Sequence, residues 1–284
     1  MKNHMSNTIV RIVKTSCALV SAAAIVLGTS GCQGFSPQSI ASSKSERQQQ
    51  LPSSAGKGDG DRSSVDADLV HATLGEPLTA LPQGYEYLPP DKGVEKPALV
   101  NPCKPIAYNL YGPVGPEEEN MVTQAIQRIA QVTGLRFERV DRLQGENRKG
   151  FSEYATRPLS IGTQFRFRFL PTSQYPDFNS NDKGSTETLG QTLTRTVRYD
   201  SFPSPMIYYA DITLNEDYFK KAGSDAESVG LATEVVEHEM GHALGLGHSN
   251  DPASAMAAVA DDTPQLTNDD IQAFKATVGQ CVAK

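Results

Sequence analysis

Three histidines and a glutamate lie close together in the C-terminal part of the chain. They are His238, Glu239, His242 and His248, with Gly245 before the last histidine. Because an α-helix has about 3.6 residues per turn, the spacing of His238 and His242 places both imidazoles on one helix face. Glu239 lies beside the pair, positioned to take a proton from a metal-bound water. Gly245 ends the helix and lets the chain turn sharply, which brings His248 to the same point as a third ligand.

Three imidazoles around an open fourth position are typical of a catalytic zinc site. Structural zinc sites close the tetrahedron with a fourth protein ligand, commonly cysteine. A water in the open position has its pKa lowered towards neutrality and becomes a nucleophile at physiological pH. The chain has 5 histidines, and the other two, His4 and His71, lie outside any expected fold. The residues therefore predict one catalytic Zn²⁺ and hydrolytic chemistry.

The pattern H-E-x-x-H-x-x-G-x-x-H, followed by Met256, resembles the zinc motif of the metzincin endopeptidases. Within that clan, G-H-A-L-G-L-G-H-S-N-D-P is most similar to the matrixins, and the resemblance covers roughly Cys103 to Gln280. It implies a zinc endopeptidase in which Glu239 is the general base and acid. It also implies that Met256 lies in the Met-turn, where a methionine packs beneath the zinc ligands without coordinating.

Two departures from the family limit what carries over. Ala258 stands where some metzincins have a tyrosine, so no tyrosine ligand or oxyanion helper is expected there. The additional histidines that bind a structural zinc in matrixins are missing from this sequence. The resemblance therefore implies the catalytic zinc only.

Hydrophobic periodicity in the C-terminal part of the chain indicates strands alternating with helices. The predicted strands are Ile106 to Tyr111, the region from Leu135 to Val140, Leu159 to Phe169, Thr188 to Thr196 and Tyr208 to Leu214. Helices are predicted from Pro116 until Gly134, over Val229 to Leu244, and after a capping box at Thr267. Arg166 and Arg168 are expected to face solvent. The fold class is α+β, a three-layer metzincin catalytic domain with a twisted, mixed five-stranded sheet, an active-site helix and a C-terminal helix.

The strand from Leu189 to Thr196 falls where matrixins have an antiparallel edge strand. The resemblance implies that an extended protein or peptide substrate binds along this strand by β-augmentation. The alternative is an ordinary edge strand, blunted by Thr194 and Arg195.

Residues 1–31 have the pattern of an export signal, with a basic start and a short apolar run from Ala18 to Leu27. Ser30-Gly31-Cys32 resembles the end of a bacterial lipoprotein signal, although Thr29 stands where that signal prefers leucine. This predicts lipidation of Cys32 and a cell-surface, membrane-anchored protein. The alternative is a secretory peptide cut nearby, which leaves Cys32 free.

The next two segments have different compositions. Residues 32–68 are rich in small and polar residues, have few large apolar side chains and predict a disordered tether. Residues 69–102 carry several prolines and predict an extended segment. The catalytic domain is then expected over residues 103–284.

Cys103 and Cys281 lie near the two ends of the expected domain. In an exported protein an even number of cysteines favours pairing, so a disulfide is predicted. The alternative comes from the matrixin resemblance, since matrixin zymogens are held inactive by a cysteine on the zinc. The sequence around Cys103 lacks most of that pattern, and this role would leave Cys281 without a partner.

The net charge and one polar loop bear on whether the protein binds nucleic acid, a second copy of itself or calcium. The net charge of −7 falls to about −10 without the signal, which disfavours nucleic-acid binding, and a monomer is expected. Oxygen-bearing side chains alternate in one loop, as in a calcium site, at Asp177, Asn179, Asn181 and Asp182. The glycine and glutamate of an EF-hand are displaced or missing, so a polar loop is favoured and Ca²⁺ is not assigned.

The sequence thus predicts an exported zinc endopeptidase with two alternatives. One is a hydrolase that acts on cell-wall peptides, which the same chemistry permits. The other is a non-catalytic, zinc-bearing surface binding protein. The complete ligand set and the intact Glu239 favour a catalytic protein over the second alternative.

Overall fold

The computed structural model describes residues 5–13, 73–89, 95–143, 162–175, 178, 186–199, 202–223, 226–258 and 266–282. Its strands are β1 (Met5–Val13), β2 (Thr73–Pro77), β3 (Tyr85–Tyr87), β4 (Ile106–Tyr111), β5 (Phe137–Arg139), β6 (Gln164–Leu170), β7 (Thr186–Val197), β8 (Met206–Asn215), β9 (Leu246–Ser249) and β10 (Gly279–Val282). Its helices are α1 (Pro116–Thr133), α2 (Glu216–Ala222), α3 (Ala226–Leu244) and α4 (Asn268–Ala276). Cys32, the tether and the four oxygen-bearing residues of the loop that resembles a calcium site, Asp177, Asn179, Asn181 and Asp182, lie outside the described residues.

The main sheet has the strand order β1-β7-β8-β6-β4-β5. Strands β4, β5, β6 and β8 run parallel, and β7 is antiparallel to β8. These five strands form the mixed sheet that the sequence predicts, which confirms the α+β fold class. Strand β1 adds a further antiparallel strand at the outer edge of β7.

The core lies between one face of this sheet and helices α1, α3 and α4. Phe165, Phe167 and Phe169 alternate along β6 and point into the core, as the period of a strand requires. Helix α3 is buried at every residue from Ala232 to Leu244, which explains why its apolar residues do not follow a single stripe. The helix that carries the candidate ligands is therefore a central element of the core.

Arg166 and Arg168 point to the other face of the sheet. The expectation that they face solvent was wrong, because only 13% and 26% of their side chains are exposed. Both guanidinium groups bind the buried carboxylate of Asp211 on the neighbouring strand β8. The alternation was read correctly, but a partner 43 to 45 residues away changed the environment of the charges.

Helix α1 begins and ends, and helix α4 begins, with the residues that the sequence predicts. Helix α1 begins with Pro116 and ends at Gly134, whose φ of 73° places it in the left-handed region. The amide of Gly134 donates to the carbonyl of Ala130 and so caps the helix. Helix α4 begins with a capping box between Thr267 and Asp270, with aspartate in place of the usual glutamate. None of the described helices is long and apolar enough to cross a membrane.

Residues 73–89, which we call the strap, run beside the C-terminal part of the chain. Strand β2 of the strap pairs with β10, and β3 pairs with β9, both antiparallel. The structure contains a disulfide between Cys103 and Cys281, the pairing that the even cysteine count favours. The two ends of the domain are thus joined by a covalent bond as well as by strand pairing.

Candidate metal centre

His238 and His242 lie one turn apart on α3, and their Nε2 atoms are 2.9 Å from each other. Gly245 has a φ of 107° and allows the turn into β9, which carries His248. One ring nitrogen of each of the three histidines lies within 4.8 Å of those of the other two. The structure therefore brings together the three side chains that the sequence predicts as ligands.

Backbone carbonyls determine the tautomers of the first two histidines. The Nδ1 atom of His238 lies 2.6 Å from the carbonyl oxygen of Ala255, and that of His242 lies 2.7 Å from the oxygen of Leu246. A carbonyl oxygen can only accept, so each Nδ1 carries the proton and each Nε2 presents a lone pair. Two lone pairs that face each other at this distance repel, and a shared metal ion would relieve that repulsion.

Electrostatics keep all three rings neutral. Burial, with a smaller contribution from the neighbouring His248, lowers the pKa of His238 to about 3, although the hydrogen bond to Ala255 opposes the shift. Burial also lowers the pKa of His242 well below its usual value, with a second contribution from His238. The pKa of His248 is lowered by burial alone. Neutral imidazole is the form that binds a metal ion.

The donor set fits a zinc ion. Among the described residues, the buried Nε2 atom of His248 has no hydrogen-bond partner. A bound cation would satisfy this unpaired nitrogen together with the two neighbouring lone pairs. Three neutral nitrogens would hold the ion and leave room for water or substrate to bind it.

Glu239 is completely buried beside this cluster. The hydroxyl of Thr192 on β7 lies 2.6 Å from its Oε2, whereas Oε1 has no partner among the described residues. Burial raises the pKa of Glu239 to about 8, and the bond from Thr192 opposes this shift. The carboxylate is thus held through one oxygen and free through the other, as a proton-transfer group requires.

Gly190 provides the space in which this carboxylate lies. A Cβ atom at residue 190 would lie 2.4 Å from the Oε1 of Glu239, so that a larger residue cannot be accommodated without a shift. The contacts of Gly190 and Thr192 with Glu239 were not predicted from the sequence. A glycine inside a strand pattern is a signal of close approach, and here the close neighbour is the carboxylate of Glu239.

Met256 lies under the ligand helix with no exposed surface. A Cβ atom at Gly241 would lie 2.2 Å from its sulfur, so the methionine packs directly against the helix between the two ligand histidines. Its carbonyl accepts from the amide of Ser249, at the end of the strand that carries His248. This position agrees with the packing role that the resemblance implies for the Met-turn.

Asp270 on α4 supports the loop that leads to Met256 and was not recognised as part of the site from the sequence. Its Oδ1 accepts from the hydroxyl of Ser254 at 2.6 Å, and its Oδ2 accepts from the amide of Ala255 at 3.1 Å. The carbonyl of Ala255 in turn holds His238. No sequence signal beyond the capping box could have found this contact, because the partners lie on separate elements.

A mixed sheet with three converging histidines on its central helix and the following strand defines the metzincin class of metallopeptidase domain. The family model for matrixin matches residues 113–279, and this chain belongs to the matrixin family. The family consists of zinc-dependent metallopeptidases, which agrees with the donor set described above.

Comparisons with curated proteins and with solved structures give no further evidence about function. No curated protein matches the chain. One solved structure, titled "GM1 bound form of the ECX AB5 holotoxin", is similar over 75% of this chain and 90% of its own, at 15% identity and a TM-score of 0.32. A similarity of this size supports no inference about fold or function.

Proposed function

We propose that this protein is an exported, zinc-dependent endopeptidase that hydrolyses peptide bonds. The proposal is carried by three histidine nitrogens within 4.8 Å of one another, beside a buried glutamate with one free oxygen. His238, His242 and His248 hold the zinc ion. When bound there, zinc polarises a carbonyl group and lowers the pKa of a water molecule.

Glu239 takes a proton from the attacking water through its free oxygen and later gives that proton to the leaving amine. Thr192 donates to the other oxygen and so helps to hold the carboxylate in its orientation towards the site. The water oxygen bonds to the carbonyl carbon, and the C–N bond breaks as the leaving nitrogen receives the proton, which gives a carboxyl group and an amine. Burial of the carboxylate excludes bulk water as a competing proton acceptor.

An extended substrate binds along the outer edge of β7. The support for this step is the pairing of β1, which adds to that edge as an antiparallel strand with Val10 opposite Gly190. Gly190 lies against Glu239, so a peptide on this edge passes beside the proposed base. Residues 5–13 belong to the predicted signal peptide, and its removal leaves the edge free for substrate.

The proposed location is the cell surface, with a lipid anchor at Cys32. The support is the basic and apolar start of the chain followed by Ser30-Gly31-Cys32. In a Cys32→Ser variant the protein should move from the detergent-soluble membrane fraction to the medium or the periplasm. An unchanged membrane fraction in this variant would contradict lipidation at Cys32.

Digestion of a denatured generic protein tests the proposed reaction. Cleavage should be lost with a zinc chelator and restored when zinc is added back. Purified cell-wall peptides, digested in parallel, separate the endopeptidase from a wall-peptide hydrolase. Stoichiometric zinc without cleavage of either substrate would overturn the proposal in favour of a binding protein.

A further inference from the structure

The strap, residues 73–89, precedes the family-matched region, which begins at residue 113. It nevertheless pairs with two strands that follow the first ligands in the chain. Strand β3 adds to β9, which carries His248, and β2 adds to β10. The strap contains no histidine or cysteine, so it supplies none of the three nitrogen ligands.

Backbone hydrogen bonds from the strap hold β9 at both ends. The amide of Leu88 donates to the carbonyl of Gly245 at 2.8 Å, immediately before β9. The carbonyl of Gly84 accepts from the amide of Asn250 at 3.0 Å, immediately after β9. Since His248 lies between these two bonds, the strap restricts where its ring can be.

The close fit between β3 and β9 depends on Gly247, next to the third histidine. A Cβ atom at this position would lie 3.2 Å from the carbonyl oxygen of Glu86 and 3.4 Å from that of Tyr87. The backbone of the strap therefore packs directly on the residue before His248. On its other side, β9 meets the Met-turn through the bond from Ser249 to Met256.

A side chain of the strap also reaches the support of the first ligand. The hydroxyl of Tyr85 donates to Oδ1 of Asp270 at 2.7 Å, the same oxygen that accepts from Ser254. Asp270 also binds the amide of Ala255, whose carbonyl holds His238. Tyr85 is thus connected to the ring of His238 through two hydrogen-bonded groups, the carboxylate of Asp270 and the backbone of Ala255.

We infer that the strap is a positioning element of the metal centre, through Tyr85 and the amide of Leu88, and remains part of the active protein. It orients His248 through β9 and His238 through Asp270 without touching the metal. The inference deepens the proposed function and rests on it. It excludes a role for these residues as a segment that must be removed before the site can bind zinc.

Two pairs of matched variants of the exported chain test the inference. Tyr85→Phe removes the hydroxyl that binds Asp270, whereas Tyr87→Phe removes a hydroxyl from the same strand that binds the carbonyl of Ala276, away from the ligands. Leu88→Pro removes the amide donor to Gly245, whereas Leu88→Ala keeps it. Circular dichroism and thermal melting of the metal-free proteins identify any variant that fails to fold.

The readouts are zinc affinity, from competition with a chromogenic chelator, and the visible spectrum of the cobalt-substituted protein. We expect Tyr85→Phe and Leu88→Pro to bind zinc about tenfold or more weakly and to change the cobalt spectrum, as is usual for losses of ligand support. Their controls should stay within about twofold of the unaltered chain, since ligand support is intact. If Leu88→Pro does not fold, the tyrosine pair alone decides.

Unchanged zinc affinity and an unchanged cobalt spectrum in Tyr85→Phe would overturn the inference, as would an equal change in Tyr87→Phe. Neither result would affect the proposed function, which is judged on the unaltered chain. Failure of the unaltered chain to bind zinc or to cleave peptides would instead contradict the proposed function.

Discussion

At the scale of single residues, the contact between Thr192 and Glu239 determines how the proposed base is oriented. The hydroxyl lies 2.6 Å from one carboxylate oxygen and leaves the other without a partner among the described residues. A hydrogen bond to a carboxylate stabilises the charged form and lowers its pKa. The chemistry of the site therefore depends on a residue of the sheet as well as on the ligand helix.

A Thr192→Val variant should have a kcat about tenfold lower than that of the unaltered chain, because a charge-assisted hydrogen bond is lost. The pKa of Glu239 should rise, so the acid limb of the pH–rate profile should move to higher pH. Zinc content, measured by metal analysis, should not change. Thr192→Ser keeps the hydroxyl and is the control; equal activities in the two variants would contradict this role.

Tyr85 gives a pH-dependent contribution to stability. Burial raises its pKa to about 12, from an ordinary value of 10.0. A raised pKa in the folded state means that the folded protein keeps a proton that the unfolded chain loses. Its contribution is therefore fully present below about pH 10 and is lost as the pH rises towards 12.

Denaturant unfolding at several pH values between about 9 and 12 measures this effect. The free energy of unfolding should fall across that range, and the fall should be smaller in Tyr85→Phe. Tyr111 is 51% exposed, and Tyr111→Phe serves as the control that keeps the full slope. The same slope in Tyr85→Phe and Tyr111→Phe would show that Tyr85 does not contribute.

At the scale of elements, β10 is linked to earlier parts of the chain by strand pairing and by a disulfide. It pairs with β2, and Cys281 on β10 forms the disulfide with Cys103, at a sequence separation of 178 residues. A cross-link that closes so long a loop reduces the entropy of the unfolded chain. In this model the disulfide stabilises the folded domain mainly by reducing the entropy of the unfolded chain.

The double variant Cys103→Ser, Cys281→Ser should lose about 5 kcal/mol of unfolding free energy in the chain-entropy model. Reducing agent should destabilise the unaltered chain by a similar amount and leave the double variant unaffected. Equilibrium unfolding in urea measures both. Stability that does not respond to reductant in the unaltered chain would contradict this account of the disulfide.

Elements defined by near neighbours in sequence could be predicted with accurate positions. The end of α1 at Gly134 and the capping box at Thr267 depend on contacts within one helical turn, and so does the spacing of His238 and His242. The same holds for the turn at Gly245. Local spacing therefore sufficed to predict the cluster of three histidines and most strands of the main sheet.

Contacts between distant elements could not be predicted in this way. Thr192 lies 47 residues before Glu239, and Tyr85 lies 185 residues before Asp270. Strand alternation gives the face on which a side chain lies, but it does not give the partner on another element. The buried environment of Arg166 was missed for the same reason, since its partner Asp211 is on β8.

At the scale of the whole molecule, the domain combines a family core with an N-terminal addition. The matrixin match covers residues 113–279, and the strap and the disulfide bind segments outside that match to the C-terminal end. The ligand helix lies in the middle of the core, whereas β9 depends on the strap for one of its neighbours. This arrangement makes the whole domain, and not only the motif, responsible for the geometry of the site.

The measurement that tests the central claim most directly compares Glu239→Gln with the unaltered chain at equal, measured zinc content. Glutamine keeps the size of the side chain and can still accept from Thr192, but it cannot take a proton. Cleavage of a denatured protein should fall by about 10² to 10⁴ while zinc remains bound. Cleavage by the zinc-loaded variant at the rate of the unaltered chain would contradict the assignment of Glu239 as the base.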